Sequence, residues 1–184
     1  PDNPDLLEML ARGYASLSFA FLEDRASEAR ANGDEKLSDK LTERAVGLYE
    51  RGARYGMKLL GLKRGFDAAW EKGGGALDQK LVEFGKDDAG ALFWTAYAWV
   101  GAINLAQDRV ENLVMLPKVV QLLNRVIVVD ETYLFGTAHI VLGGYHMSLP
   151  KLLGGKPEKA KEHFEKGIAI SGGKALLGKA LYAH

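Results

Sequence analysis

Residues Gly155–Ser171 read GKPEKAKEHFEKGIAIS, and the spacing of their apolar positions decides the fold. Ala160, Phe164 and Gly167 follow one another at steps of four and three, which sets them on one side of an α-helix. Lys156, Glu158, Lys159, Lys161, Glu162, Glu165 and Lys166 cover the other side. Pro157 suits a first turn, where the missing N–H has no helical acceptor anyway, and Ser171-Gly172-Gly173 ends the helix. The same frame recurs upstream. Ala45-x3-Tyr49-x2-Gly52-Ala53 repeats it, and Val119-x3-Leu123-x2-Val126-Ile127 fits it with larger residues. A small residue, a ring four positions on and another small residue three beyond is what two closely packed antiparallel helices require.

Such a frame is similar to the second helix of a tetratricopeptide repeat. Val119 to Ala160 spans 41 residues and Ala45 to Val119 spans 74, so the repeats are irregular, and an extra hairpin is expected near residues 62–86. The expected fold is all-α, a TPR-like array of antiparallel helical hairpins (an α-solenoid), forming a single domain over residues 1–184. No segment of useful length alternates with period two. The β-branched run Val126–Val129 continues the helical pattern of Leu116, Val119, Val120 and Leu123 and reads as a helix end.

Outward from these segments, the spacing predicts a helix from Pro4 to about Ala31 capped by Asn3, and another over about Asp34–Gly61. Phe66–Trp70 is a turn or two, Gly73-Gly74-Gly75 a loop, and Leu77–Phe84 a short helix. Asp87-Asp88 cap a nearly uncharged helix ending near Gln107. Helices follow over about Val110–Val129, with Pro117 in the first turn or at a kink, and over Glu131 to about Met147. Pro150 and Gly154-Gly155 form a loop. A last helix begins at Lys174 and reads apolar to His184, so the chain is expected to continue past that point or to pack this face on another subunit.

The 184 residues carry 24 Lys+Arg against 24 Asp+Glu, and this zero balance argues against a general nucleic-acid or anionic-membrane surface. With 47% hydrophobic and 26% charged residues the chain is expected to be globular rather than disordered. Cysteine is absent, which removes disulfides, thiolate metal sites and Cys nucleophiles and is compatible with an oxidising compartment. Ala89–Gln107 and Thr132–Pro150 lack formal charge, but their Gly, Asn, Gln, His, Thr and Ser residues suit buried helices of a globular domain better than membrane spans.

Catalytic constellations were sought and none is proposed. His139 and His146 share a helix face two turns apart, but a metal site would want i, i+4 spacing and nearby carboxylates, and no acid lies between Thr132 and Leu149. They read as hydrogen-bonded imidazoles beside an internal cavity, and His163 as a surface residue. The glycine clusters precede helices without matching a phosphate-binding loop, and read as turns. No cofactor is expected.

In repeats of this kind the first helices line the concave side. Here these are 89–106 and 132–147, holding Trp94, Tyr97, Trp99, Tyr133, Phe135 and Tyr145. Clamps for peptide carboxylates need concave Lys, Arg and Asn, and only Asn104 is on offer. Either an apolar cavity or a filled core remains. Candidate pocket-lining residues are Trp94, Tyr97, Asn104, His139 and Tyr145, because polar atoms strung among rings suit a ligand pocket. Tyr14 and Phe19 are further candidates.

PDNPDLLEMLARGYASLSFAFLED, ALFWTAYAWVGAINLAQD and the stretch from ETYLFGTAHIVLGGYHMSLPKLLGG into PEKAKEHFEKGIAISGGKALLGKALYA resemble the TatT family over nearly the whole chain. These are the tetratricopeptide-like T-components associated with TRAP transporters. The resemblance implies a periplasmic lipoprotein, a trimer with an apolar pore in each protomer, and pairing with the transporter's substrate-binding protein. No lipobox cysteine is present, so a lipid anchor is implied but not seen. The expected function is a non-enzymatic accessory component of periplasmic TRAP-type uptake that binds or guides an apolar organic ligand. The alternative is a TPR-like protein-interaction scaffold with a filled core and no ligand.

Overall fold

Local sequence signals set the helix ends in the computed structural model, which describes residues 3–106, 109, 114–148 and 155–172. The Asn3 side chain accepts from Leu6 N at 3.1 Å and caps α1 (Pro4–Leu17). Asp34 accepts from Leu37 N at 3.0 Å and caps α3 (Glu35–Gly61). Among the described residues the secondary structure is helix and turn, without strand. The all-helical expectation holds, and Val126–Val129 is helical, inside α7 (Leu116–Asp130).

Several boundaries differ from expectation. The first helix is broken by a π-helical segment, Ser18–Glu23, before α2 (Asp24–Ala31). After α4 (Phe66–Lys72), α5 begins at Gly74 and ends at Leu81, so the expected loop is confined to Gly73, whose φ of 64 and ψ of −166 end one helix and start the next. A 3₁₀ turn, Lys86–Asp88, precedes α6 (Ala89–Leu105). Pro117 sits in the first turn of α7, where it disturbs no hydrogen bond. The helix expected from Glu131 starts at Thr137 as α8 (Thr137–Ser148), behind a 3₁₀ turn, Tyr133–Gly136, in which Leu134 and Phe135 are left-handed. α9 (Pro157–Ile170) is as expected. The loop at Pro150 and Gly154 and the helix from Lys174 lie outside the described residues.

The chain divides into two compact units, one from Pro1–Glu83 and Gly90–Leu122, the other from Phe84–Ala89 and Leu123–His184. In the first, α1, the π segment and α2 run antiparallel to α3. Leu7, Ala11 and Ala15 are buried against it, and Ser18 Oγ lies 3.0 Å from Tyr14 O and 3.2 Å from Ala45 O. Ala45, Tyr49 and Ala53, the recurring frame of α3, are at most 1% exposed. The short hairpin of α4 and α5 lies within the expected 62–86 insertion. It meets the start of α7 where Gln121 Nε2 donates to Gly74 O at 2.8 Å and Asp78 Oδ1 at 2.6 Å.

The second unit is built on α8 and α9, which pack as an antiparallel pair. Gly143 faces the Phe164 ring, Gly167 faces Ile140 and Gly136 faces Ile170, each glycine giving room to a large side chain opposite. Ala160 and Phe164, the small residue and ring of the recurring frame, are 0% exposed. The guanidinium of Arg125, on α7, donates from Nε and Nη2 to Phe84 O at 3.0 and 2.5 Å.

Candidate functional site

α6 carries seventeen residues without a charged side chain. Leu92, Phe93, Thr95, Ala96, Ala98, Ala102 and Ile103 are buried. Small residues let α3 approach: the space beside Gly56 is filled by Thr95, and that beside Gly101 by the Tyr49 ring. Thr95 satisfies its hydroxyl by donating to Ala91 O at 2.6 Å, four residues back.

Trp94 and Tyr97 stand at the rim of this core, partly buried and packed on the Ala15–Tyr49–Ala53–Ala98–Ala102 cluster. Their rings meet edge to face with centroids 5.8 Å apart. Phe93 stacks on Tyr97 at 5.6 Å, and Phe19 of the π segment meets Tyr97 edge-on at 6.1 Å. The Arg12 guanidinium carbon lies 5.9 Å from the Trp94 ring centroid, within cation–π range. Phe19 is 44% exposed, and Met9, Leu17 and Phe21 of the same helical arm are exposed as well. Phe19 remains in water while its ring meets the partly buried Tyr97, which suits a surface made to be covered. The π segment reinforces this, because such wide turns are rare and concentrate at functional sites.

Beneath the rim, the Tyr49 hydroxyl donates to Glu23 Oε1. Burial raises the Glu23 carboxyl, with the Tyr49 hydrogen bond opposing. Burial, helped by the Glu23 charge, also raises the Tyr97 phenol, so it is a neutral donor at physiological pH. The Trp99 Nε1 is buried and has no hydrogen-bond partner among the described residues.

Of the residues expected to line a pocket, the structure brings Trp94, Tyr97 and Phe19 together. Asn104 is exposed in the last turn of α6. Tyr14 stacks instead on Tyr55 of α3, with centroids 5.7 Å apart and planes 5° apart. His139 and Tyr145 lie on α8, in the second unit. There His139 is 1% exposed, with Nε2 3.1 Å from Glu131 Oε1 and Nδ1 2.8 Å from His163 Nδ1. The His163 ring lies against His146 with centroids 5.8 Å apart, and Tyr145 packs on His146 at 5.1 Å. His163 is thus not a surface residue: it bridges the two histidines of α8 and is half-buried. The acid beside His139 is Glu131, one residue before the acid-free stretch that begins at Thr132. His139 is hydrogen-bonded as expected, but His146 is not: its buried Nδ1 has no hydrogen-bond partner among the described residues. If the Glu131 carboxylate accepts from Nε2 of a neutral His139, then Nδ1 of His139 is the acceptor and Nδ1 of His163 the donor. Among the described residues no group of three or more His, Asp or Glu is placed to hold a metal ion, and no helix is long and apolar enough to cross a membrane.

The whole chain, residues 1–184, matches the family model described as TRAP transporter T-component. Among curated proteins no match is found.

Proposed function

From a chain that belongs to the TRAP transporter T-component family, we infer a periplasmic accessory component that does no chemistry itself, binds or guides an apolar organic ligand, and pairs with the substrate-binding protein of a TRAP system. Its helical hairpins are the units of one TPR-like array, and it works as a homotrimer held at the membrane by an N-terminal lipid. The observation that supports the reading is the cluster of Phe19, Phe93, Trp94 and Tyr97, with Phe19 left 44% exposed. An aromatic rim of this kind offers area at little entropic cost and suits both an apolar ligand and a protein partner. Within each unit taken by itself, Trp94, Tyr97 and Asn104 of the first and His139 and Tyr145 of the second are the proposed ligand-contacting residues.

Native mass spectrometry of the purified protein, repeated under denaturing conditions, is the test of the ligand half. A trimer mass with an adduct that leaves on denaturation supports it, and the adduct weakens in Trp94→Ala and Tyr97→Ala. The partner half is tested by binding to the substrate-binding protein of the same TRAP system. Phe21→Asp should weaken that complex at least tenfold without changing helix content.

A second reading is favoured by the tight fit of α3 on α6 at Gly56 and Gly101. There the interior is filled, as in a protein-interaction scaffold without a ligand. Partner binding with an adduct-free protein would select it.

A further inference from the structure

A different part of the first unit is set up for charge. The chain is neutral overall, yet the stretch from Arg51 to Phe66 contains Arg51, Arg54, Lys58, Lys63 and Arg64 and no acid. Arg51, Arg54 and Lys58 rise along one side of α3 on successive turns. Like charges three and four residues apart oppose helix formation, so this arrangement works against the helix that carries it. Of the three, Arg51 and Arg54 are the ones that carboxylates leave unrelieved among the described residues. Glu50 sits four residues before Arg54, but its Oε1 is engaged by Arg109 Nη1 at 3.0 Å. Among the described residues neither Arg51 nor Arg54 has a carboxylate partner. The earlier half of α3 behaves otherwise, with Lys36, Asp39, Lys40, Glu43 and Arg44 mixing signs.

These three cations do not point from a plain convex surface. With Tyr14 of α1 and Tyr55 of α3 they line a cleft of ≈ 400 Å³. That size falls within the range of small-molecule sites. The two tyrosines are stacked nearly parallel on one another and give the cleft an aromatic side. Guanidinium groups recognise carboxylates through paired N–H donors, and a stacked aromatic pair offers its edges and outer faces to an apolar body.

We propose that the cleft lined by Tyr14, Arg51, Arg54, Tyr55 and Lys58 is a binding site for a small organic carboxylate, its anionic end met by the two arginines and its apolar body packed against the tyrosine pair. The concave shape favours a small molecule over an extended polyanion or a lipid surface. This site uses none of the rings of the α6 rim, so it stands or falls separately from the function proposed above.

The test is isothermal calorimetry and thermal denaturation of the full chain with benzoate and 4-phenylbutyrate. Succinate, inorganic phosphate and neutral benzamide serve as comparators. Both aromatic carboxylates are expected to raise the Tm and bind saturably, more tightly than succinate or phosphate, with binding weakened by added NaCl. Benzamide should be at least tenfold weaker than benzoate. In Arg51→Gln/Arg54→Gln the affinity for benzoate should fall tenfold or more, while the unliganded Tm is equal to or above the parent's because the charge repulsion is relieved. Tyr55→Leu should weaken 4-phenylbutyrate more than succinate. Absence of any response to the carboxylates overturns the proposal, as does an equal response in the arginine variant. Equal binding of benzamide and benzoate overturns the charge recognition, and binding of anionic phospholipid vesicles without binding of the soluble carboxylates assigns the patch to a membrane instead.

Discussion

His163 is held uncharged by its setting: burial first, then the neighbouring His139 and His146, push its imidazole from an ordinary 6.5 down to about 4. His146 is pushed the same way by burial and by Lys159 and Lys156. Around His163 stand His139, His146, Glu162 and Lys166, with Glu131 behind His139. Because the unfolded chain takes up these protons near pH 6.5 and the folded chain does not, folding is favoured above that pH and loses this contribution as pH falls toward 4. Melting curves should show a Tm lower by roughly 5 °C at pH 4.5 than at pH 7, and His163→Gln should flatten that slope. The sequence placed His139 and His146 on one helix face, and that much was legible. The rest was not, because the third imidazole arrives from the next helix, 24 residues after His139, and helical periodicity says nothing of what faces a given position. Gly101 makes a second residue-level prediction. A methyl group there would fall inside the Tyr49 ring, so Gly101→Ala should cost about 1–3 kcal/mol in a denaturant titration.

At the scale of elements, the frame of Ala160, Phe164 and Gly167 was legible in full, since burial on both sides of the α8–α9 pair follows directly from its spacing. Phe164→Ala should cost about 3–5 kcal/mol, read from the chemical denaturation midpoint. Two elements were illegible for definite reasons. The buried positions Leu7, Ala11, Ala15, Ser18, Leu22, Ala26 and Ala29 step by four and three throughout, as in any α-helix, so nothing in the pattern betrays the π segment between Leu17 and Asp24. The turn before α8 is the other. Leu134 and Phe135 adopt φ of 46 and 59, a conformation that normally announces itself through Gly or Asn. Phe135 is 71% exposed, so its side chain brings little packing to offset the strain. Phe135→Gly should therefore stabilise the protein by up to about 1 kcal/mol in the same titration.

For the molecule as a whole, every group in the imidazole cluster belongs to the second unit, whereas the Glu23–Tyr49–Tyr97 set belongs to the first. Acid should accordingly act on the units unequally. Hydrogen exchange at pH 5 is expected to show protection lost earlier in α8 and α9 than in α3 and α6. The π segment carries a further consequence for how this chain tolerates change in length. Its i→i+5 turn takes up one residue more than an α turn, so Ser18–Glu23 can be regarded as holding a surplus residue that the flanking helices do not register. Deleting the exposed Ala20 would let ordinary i→i+4 bonds close across the gap, leaving Ala11 and Ala15 on one flank and Ala26 and Ala29 on the other in phase with α3. A shortened chain of that kind should fold with unchanged helix content, yet Phe19 would no longer be aimed at Tyr97. The one residue that the fold does not need is the one that shapes its aromatic rim.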